Sequence, residues 1–259
     1  RNELRFTGGG TLTVNSSRAT GLYVSGGDAV FGKKADGTPG ENAEVGITTA
    51  ITENCALEST TTMYHGVFVQ GGSLDASGAE FSVTHTGIDN TYSSDAYTGL
   101  NIRSYAVYVT GDAADEVKLS EGKIRNTKGG GGLYVSGGVV SLGQGVSVSA
   151  EGSSYDNRRW YNVNGGAASG DAWDYRKNVD GGNAVEVSGG SLTIDGGTYS
   201  ANMGNGILVR NGEATVNGGT FIGADAYDPN SNDSRATAGV AASYAFKMYG
   251  GTLTVNGGT

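Results

Sequence analysis

Residues 184–201, AVEVSGGSLTIDGGTYSA, and residues 206–224, GILVRNGEATVNGGTFIGA, are two versions of one pattern set 22 residues apart. In the first, Val185 and Val187 share a face of one short segment, Leu192 and Ile194 share a face of a second, and Tyr199 leads a third. Apolar residues at alternate positions mark a strand with one buried face. The glycine pairs between segments admit positive φ, which lets the chain turn sharply from strand to strand. Three strands and three corners within 22 residues describe a triangular coil. Stacking such coils pairs each strand with its equivalents at about 4.8 Å per rung.

The pattern recurs as GVFVQGGSLDASGAEFSV from Gly66 and GLYVSGGVVSLGQGVSVSA from Gly132. Shorter copies are GLYVSGGDAVFG from Gly21, AVYVTGD with VKLSEGKI from Ala106, AFKMYGGTLTVNGGT from Ala245, and LRFTGGGTLTVN from Leu4. A repeat of this length directs the reading to a solenoid or a propeller. A propeller blade needs four strands and about 40 residues, which the 22-residue spacing cannot supply. The expected fold is all-β: one domain over residues 1–259, a single parallel β-helix of about eight rungs. Leu22, Val24, Val187, Leu192, Ile194, Val209, Val216, Leu253 and Val255 should face inward.

The composition agrees with a narrow core. The chain has 47 glycines, two prolines and 37% hydrophobic residues, below the usual globular share. A net charge of −9 supplies no basic stripe for phosphates, so nucleic acid is not an expected partner. No apolar run reaches the roughly 18 residues of a membrane span. Cys55 is the single cysteine, which excludes an internal disulfide.

The V-x-GG-x-L-x-V-x-GG-T phrase resembles the repeats of right-handed parallel β-helix proteins, a group that includes pectate-lyase-like enzymes and secreted bacterial surface adhesins. In style it is similar to the repeats of bacterial surface and autotransporter-type passenger proteins, and the likeness extends over nearly the whole chain. The resemblance implies a right-handed coil and an extracellular or cell-surface location.

Excess length falls at Ala35–Met63, Ile88–Ser104, Glu151–Gly182 and Ala224–Ser243, after a third strand and before the next first strand. A small insert, Asp112–Glu116, lies instead at a first corner. Insertions at one corner of successive coils line one edge of the rod, often the binding face of a repeat protein. Residues 44–60, EVGITTAITENCALEST, alternate enough that Glu41–Thr61 reads either as an extra rung or as loop.

The insertion Glu151–Gly182 holds Trp160 and Trp173 with Tyr155, Tyr161, Tyr175, Arg158, Arg159 and Arg176. Aromatic planes beside guanidinium groups suit sugar rings or protein hot spots. The same rings could instead pack as a small core seating the loop. Outward first-strand positions read Tyr23, Phe68, Tyr108 and Tyr134, then Glu186, Leu208 and Lys247. Four stacked aromatics form an apolar stripe that serves as a ligand platform, with Tyr108 and Tyr134 central, or as a seat for the loops.

Catalytic chemistry is sparse. Asp28 and Asp75 are read as outward on second strands but too far apart in rung order for a dyad. His65 and His85 lack metal-ligand spacing, and no Gly-x-Ser-x-Gly, Walker or zinc motif occurs. No cofactor is expected except Ca2+, for which DPNSNDS offers Asp228, Asn230 and Asn232. That run lacks the glycine and the closing glutamate of a calcium loop. Thr13, Thr193, Thr215 and Thr254 are expected in one outward column on the second strands.

The function expected from these readings is an extracellular or cell-surface structural and adhesive segment that binds a glycan or host protein through its loop-rich edge. Two alternatives stand beside it: a polysaccharide lyase or hydrolase of the β-helix type, and a self-stacking filament subunit. Because the chain opens and closes on strand phrases, neighbouring repeats of a longer chain, or head-to-tail copies, are expected partners at its ends.

Overall fold

A column of glycines makes the corners. Gly27, Gly72, Gly138, Gly190, Gly212 and Gly251 stand at the first corner of six copies, five of them closing a glycine pair and Gly212 following Asn211, with φ between +67° and +84°. L-residues rarely adopt that region. Space is also lacking: a Cβ on Gly72 would lie 2.1 Å from the Gly27 carbonyl oxygen, and one on Gly190 2.5 Å from that of Gly138. Gly72, Gly190, Gly212 and Gly251 thus let the backbone of the preceding copy lie directly against them.

The structure, a computed structural model, describes residues 2–17, 19–40, 43–50, 64–87, 104–127, 130–151, 182–202, 204–223 and 244–259. Among them are seventeen strands in one sheet and no helix, and every pairing between strands is parallel. The pairings resolve into three columns. The first aligns Leu22, Val67, Val107, Leu133, Val185, Ile207 and Phe246. The second aligns Leu4, Ala29, Leu74, Val117, Val140, Leu192, Ala214 and Leu253. The third aligns Val14, Ile47, Val83, Ile124, Val148, Tyr199 and Phe221. This is a solenoid-like sheet, compatible with the expected parallel β-helix. Strand β5, Val67–Thr86, runs through all three columns without a break.

The interior is the alternating apolar set. Val187, Leu192, Ile194, Val209 and Val216 are almost wholly buried, and Val24 nearly so. Leu22 and Leu253 pack against this core while only partly buried. Val255 aligns with Val216 yet is 50% exposed, because its strand β17, Thr252–Val255, is paired on one side only. Tyr199 and Phe221 stack inside the third column at 4.9 Å and 9°, and the Tyr199 hydroxyl donates to the Gly196 carbonyl.

Corners carry their own ladders. At the second corner Asn256 Nδ2 donates to Asn217 Oδ1 at 2.8 Å, and Asn217 Nδ2 donates to Asp195 Oδ1 at 2.9 Å. The copy from Ala106 has its insert at the first corner, as expected. There the buried Asp115 carboxylate accepts from the backbone amides of Gly72, at 2.7 Å, and Asp112, at 2.9 Å.

Three readings are corrected. The opening phrase does not align with the closing one: β1, Glu3–Phe6, pairs with Asp28–Phe31 in the second column, and β2, Gly10–Ser17, lies in the third. Thr13 consequently aligns with Gly46 and Ser82 and leaves the threonine column, which holds Ser141, Thr193, Thr215 and Thr254. The insertion Ala35–Met63 is not one loop. It contains β4, Ala43–Ala50, the third-column strand of its own copy, so residues 43–50 are not an extra rung. A glycine pair marks a corner, but pairing with the next copy decides which corner. Finally, Asp28 and Asp75 lie on neighbouring copies: Asp28 aligns with Ser73, and Val30 with Asp75.

The glycine column yields a paired test. Gly190→Ala should destabilise the protein by about 2 kcal/mol or more, from a disfavoured φ and a backbone clash. Gly46→Ala, in strand β4 with open space around its Cβ, should leave stability unchanged or slightly raised. Denaturant titration of both variants measures the difference.

Candidate functional site

The first column presents the most distinctive surface. Tyr23, Phe68, Tyr108 and Tyr134 occupy one outward position in four successive copies because strands β3, β5, β6 and β8 (Leu22–Phe31, Val67–Thr86, Ser104–Val109 and Gly130–Val135) pair there in register. Tyr23 stacks on Phe68 at 5.3 Å and 23° and Phe68 on Tyr108 at 5.0 Å and 7°, while Tyr134 is tilted against Tyr108 at 5.0 Å and 43°. Tyr105 adds a second ring over Tyr134 at 4.7 Å. His65 packs against Phe68, Tyr105 and Tyr108. The Tyr23 hydroxyl is hydrogen-bonded to Gln70, and the Ser136 hydroxyl meets that of Tyr108 at 3.4 Å.

This geometry limits the chemistry of the stripe. A sugar or a cation takes the face of an aromatic ring. In the middle of this column the faces cover one another, so Phe68 and Tyr108 turn ring edges outward. Tyr23 is the open end, 54% exposed, while Phe68, Tyr108 and Tyr134 are half-buried.

Further along the same position the character changes. Glu186 and Leu208 align with Tyr134 and are buried. The Glu186 carboxylate receives Arg210 Nε at 2.7 Å and Asn183 Nδ2 at 3.0 Å. Asn183 Oδ1 in turn accepts from the Asn205 side chain at 2.8 Å and its backbone amide at 2.9 Å. Glu186 is the buried member of this pair and Arg210 is about a third exposed, so removing Arg210 would leave a buried carboxylate without its counter-charge. Lys247, next in the column, lies over the Tyr249 ring at 4.9 Å, and Arg210 over the same ring at 5.4 Å.

A polar seam lies inside the corner between the third and first columns, and sequence reasoning gave it no role. Thr49, His85 and Asn126 align at the end of the third column, all buried. His85 Nδ1 and Thr49 Oγ1 are 2.7 Å apart, and His85 Nε2 is the one buried side-chain polar atom among the described residues with no hydrogen-bond partner. Across the corner, buried His65 accepts the Tyr105 backbone amide on Nδ1 at 3.1 Å. Asn126 Nδ2 donates to the carbonyls of Ser104, at 3.0 Å, and Gly131, at 2.9 Å. Burial, and then the neighbouring His85, holds His65 down at a pKa of about 3; burial holds His85 at about 4. One signal was legible: His85 continues the inward alternation of Phe81 and Val83.

The aspartates of the second column are engaged separately. Asp28 receives the Ser73 hydroxyl. Asp75 is bound by Lys33 Nζ at 2.8 Å and the Ser77 hydroxyl at 2.6 Å. Burial raises the Asp75 pKa, but these hydrogen bonds outweigh it and hold the carboxyl below its ordinary value. Among the described residues no three His, Cys, Asp or Glu side chains converge as a metal-binding group.

The sequence-derived loop site falls elsewhere. Trp160, Trp173, Tyr155, Tyr161, Tyr175, Arg158 and Arg159 lie outside the described residues, as do Asp228, Asn230 and Asn232 of the calcium reading. What the structure does place is their attachment. Segments 51–63, 88–103, 152–181 and 224–243 each leave the end of the third column and return at the start of the first. The flank of the aromatic column is thus the corner at which they return. No described helix is long and apolar enough to cross a membrane. The chain matches no family model, and comparison with curated proteins and with solved structures gives no match.

If the rings stabilise the column, Phe68→Ala should cost about 2–3 kcal/mol, from lost burial and two lost stacking contacts. Thermal unfolding followed by circular dichroism reads this as a fall in Tm. An unchanged Tm would mean that the stack contributes nothing to the fold and stands there for a ligand.

Proposed function

We propose that the chain is a right-handed parallel β-helix of about eight rungs. In this reading it is an extracellular or cell-surface structural and adhesive segment, with a glycan or host protein bound along the edge that carries its long segments. The observation behind this is topological. Four segments connect the same two columns, so their points of attachment all fall at one corner of an all-parallel sheet. Segments held on a scaffold are the usual place for binding residues, and the segment 152–181, attached at that corner, contains two tryptophans and three arginines. Large aromatic residues and arginine supply most hot-spot energy in protein interfaces.

Ring stacking within the aromatic column favours the loop edge over the column itself as the contact surface. The column then serves as an apolar seat beside the binding edge, with Tyr108 and Tyr134 contributing edges and hydroxyls rather than open faces.

A polysaccharide lyase or hydrolase is the reading from another class, and one feature favours it. Glu186 is a carboxylate positioned by Arg210 and Asn183 on the first-column face. It is only 3% exposed, which suits a structural ion pair better than contact with substrate.

Trp160→Ala or Trp173→Ala should weaken capture on a panel of immobilised polysaccharides and host surface proteins at least tenfold without changing Tm. An aromatic anchor costs about 2 kcal/mol or more on truncation. Thr193→Ala with Thr215→Ala should leave capture unchanged. Depolymerisation of any panel member would favour the enzyme reading. A fall in Tm with capture intact would place the rings in a loop core and the contact elsewhere.

A further inference from the structure

The chain has two histidines, and the structure brings both to the corner between the third and first columns. They sit at opposite ends of one copy's strand set. His85 closes the third-column part of β5 and is hydrogen-bonded to Thr49 of the preceding copy. His65 stands just before the first-column part of β5 and accepts the amide of Tyr105 in the following copy. Its own amide donates to Thr20 Oγ1 at 3.3 Å, back toward the preceding copy. One copy is thus tied at this corner to the copies before and after it, through imidazole rings buried in both places.

We propose that His65 and His85 form an acid-released latch: protonation of the pair opens the corner between the third and first columns locally, while the later copies stay folded. The argument begins with donor and acceptor roles. The Nδ1 of His65 is an acceptor, so a proton there sets a donor against the Tyr105 N–H and breaks the contact that starts strand β6. Protonated His85 carries a donor on each ring nitrogen. Its Nε2 has no acceptor within reach among the described residues, and a buried unpaired donor on a charged group is costly. Each imidazolium also repels the other.

Among the described residues, the groups packed around the pair offer no counter-charge. His65 faces Phe68, Tyr105 and Tyr108 from β5 and β6. His85 faces Thr49 from β4 and aligns with Asn126 from β7, Glu116–Asn126. The only described charged or titratable influence resolved on either ring, besides burial, is that of His85 on His65.

The sign follows directly. Each folded-state pKa lies below the ordinary value, so the open corner binds protons more tightly than the closed one. Closure is fully favoured above the unperturbed histidine range, near pH 6.5, and weakens as pH falls from there toward 3–4. At pH 4.5 each histidine should raise the open population roughly a hundredfold relative to pH 7.5. The copies from Ala184 onward contain no histidine, and the opening should not reach them.

Hydrogen exchange, corrected for intrinsic rates, tests this at pH 7.5 and 4.5. Protection should fall at least a hundredfold at the amides of Gly66, Tyr105 and Thr127, which are bonded to Tyr105 O, His65 Nδ1 and His85 O. The amides of Asp195 and Asn217, bonded to Leu142 O and Ile194 O, should keep theirs. His65→Gln with His85→Gln should abolish the pH dependence at the corner. Uniform loss across all copies, or loss that persists in the double variant, would overturn the latch. Should that variant fail to fold, NMR titration of the two imidazoles in the unaltered protein decides. Titration near pH 6.5 with corner protection intact would equally overturn it.

Discussion

Parallel pairing in register places each residue directly over its counterpart in the next copy, about 4.8 Å away. Every column must therefore hold residues that tolerate one another at that distance. Glycine passes over glycine at the first corner, Asn217 bonds both Asp195 and Asn256 at the second, and aromatic rings stack outside the first column and inside the third. Where a copy departs from the rule, something takes the missing partner's place. In the copy from Ala106 the insert replaces the plain glycine corner, and Asp115 accepts the amides left there.

The same rule decides what was legible in the sequence. Tyr23, Phe68, Tyr108 and Tyr134 could be aligned from their place between two inward residues, because the phrase around them fixes both strand and face. The opening copy misled for the complementary reason: GGTLTVN contains a corner and a strand, and nothing local distinguishes the first corner from the second. Only the pairing of Glu3–Phe6 with Asp28–Phe31 settles it. β4 was hidden inside an apparent insertion because residues 32–40 interrupt the phrase before it. In the histidine seam only the inward face of His85 was legible, because residues 65 and 85 are brought to one corner only when the copy closes on itself.

The outward surface divides into regions of different character. At the first column, rings in the early copies give way to the Glu186–Arg210 pair and then to Lys247 beside Tyr249. The second column carries hydroxyls from Ser141 through Thr254, which exposed strand positions accommodate readily. The corner between the third and first columns is where the four long segments attach. The remaining faces keep the regularity that stacking demands.

Because hydrogen bonds between copies run along the stacking direction, a pull along that axis meets them one layer after another rather than all at once. Each layer carries the whole load, and the weakest layer yields first. A chain of this build would lengthen under tension in discrete steps, each releasing one copy and the segment attached to it. The number of residues freed per step would vary with that segment, least at the copy from Ala184, whose link to the next copy is short. Such a stack would yield by stages under load while the layers on either side kept their grip.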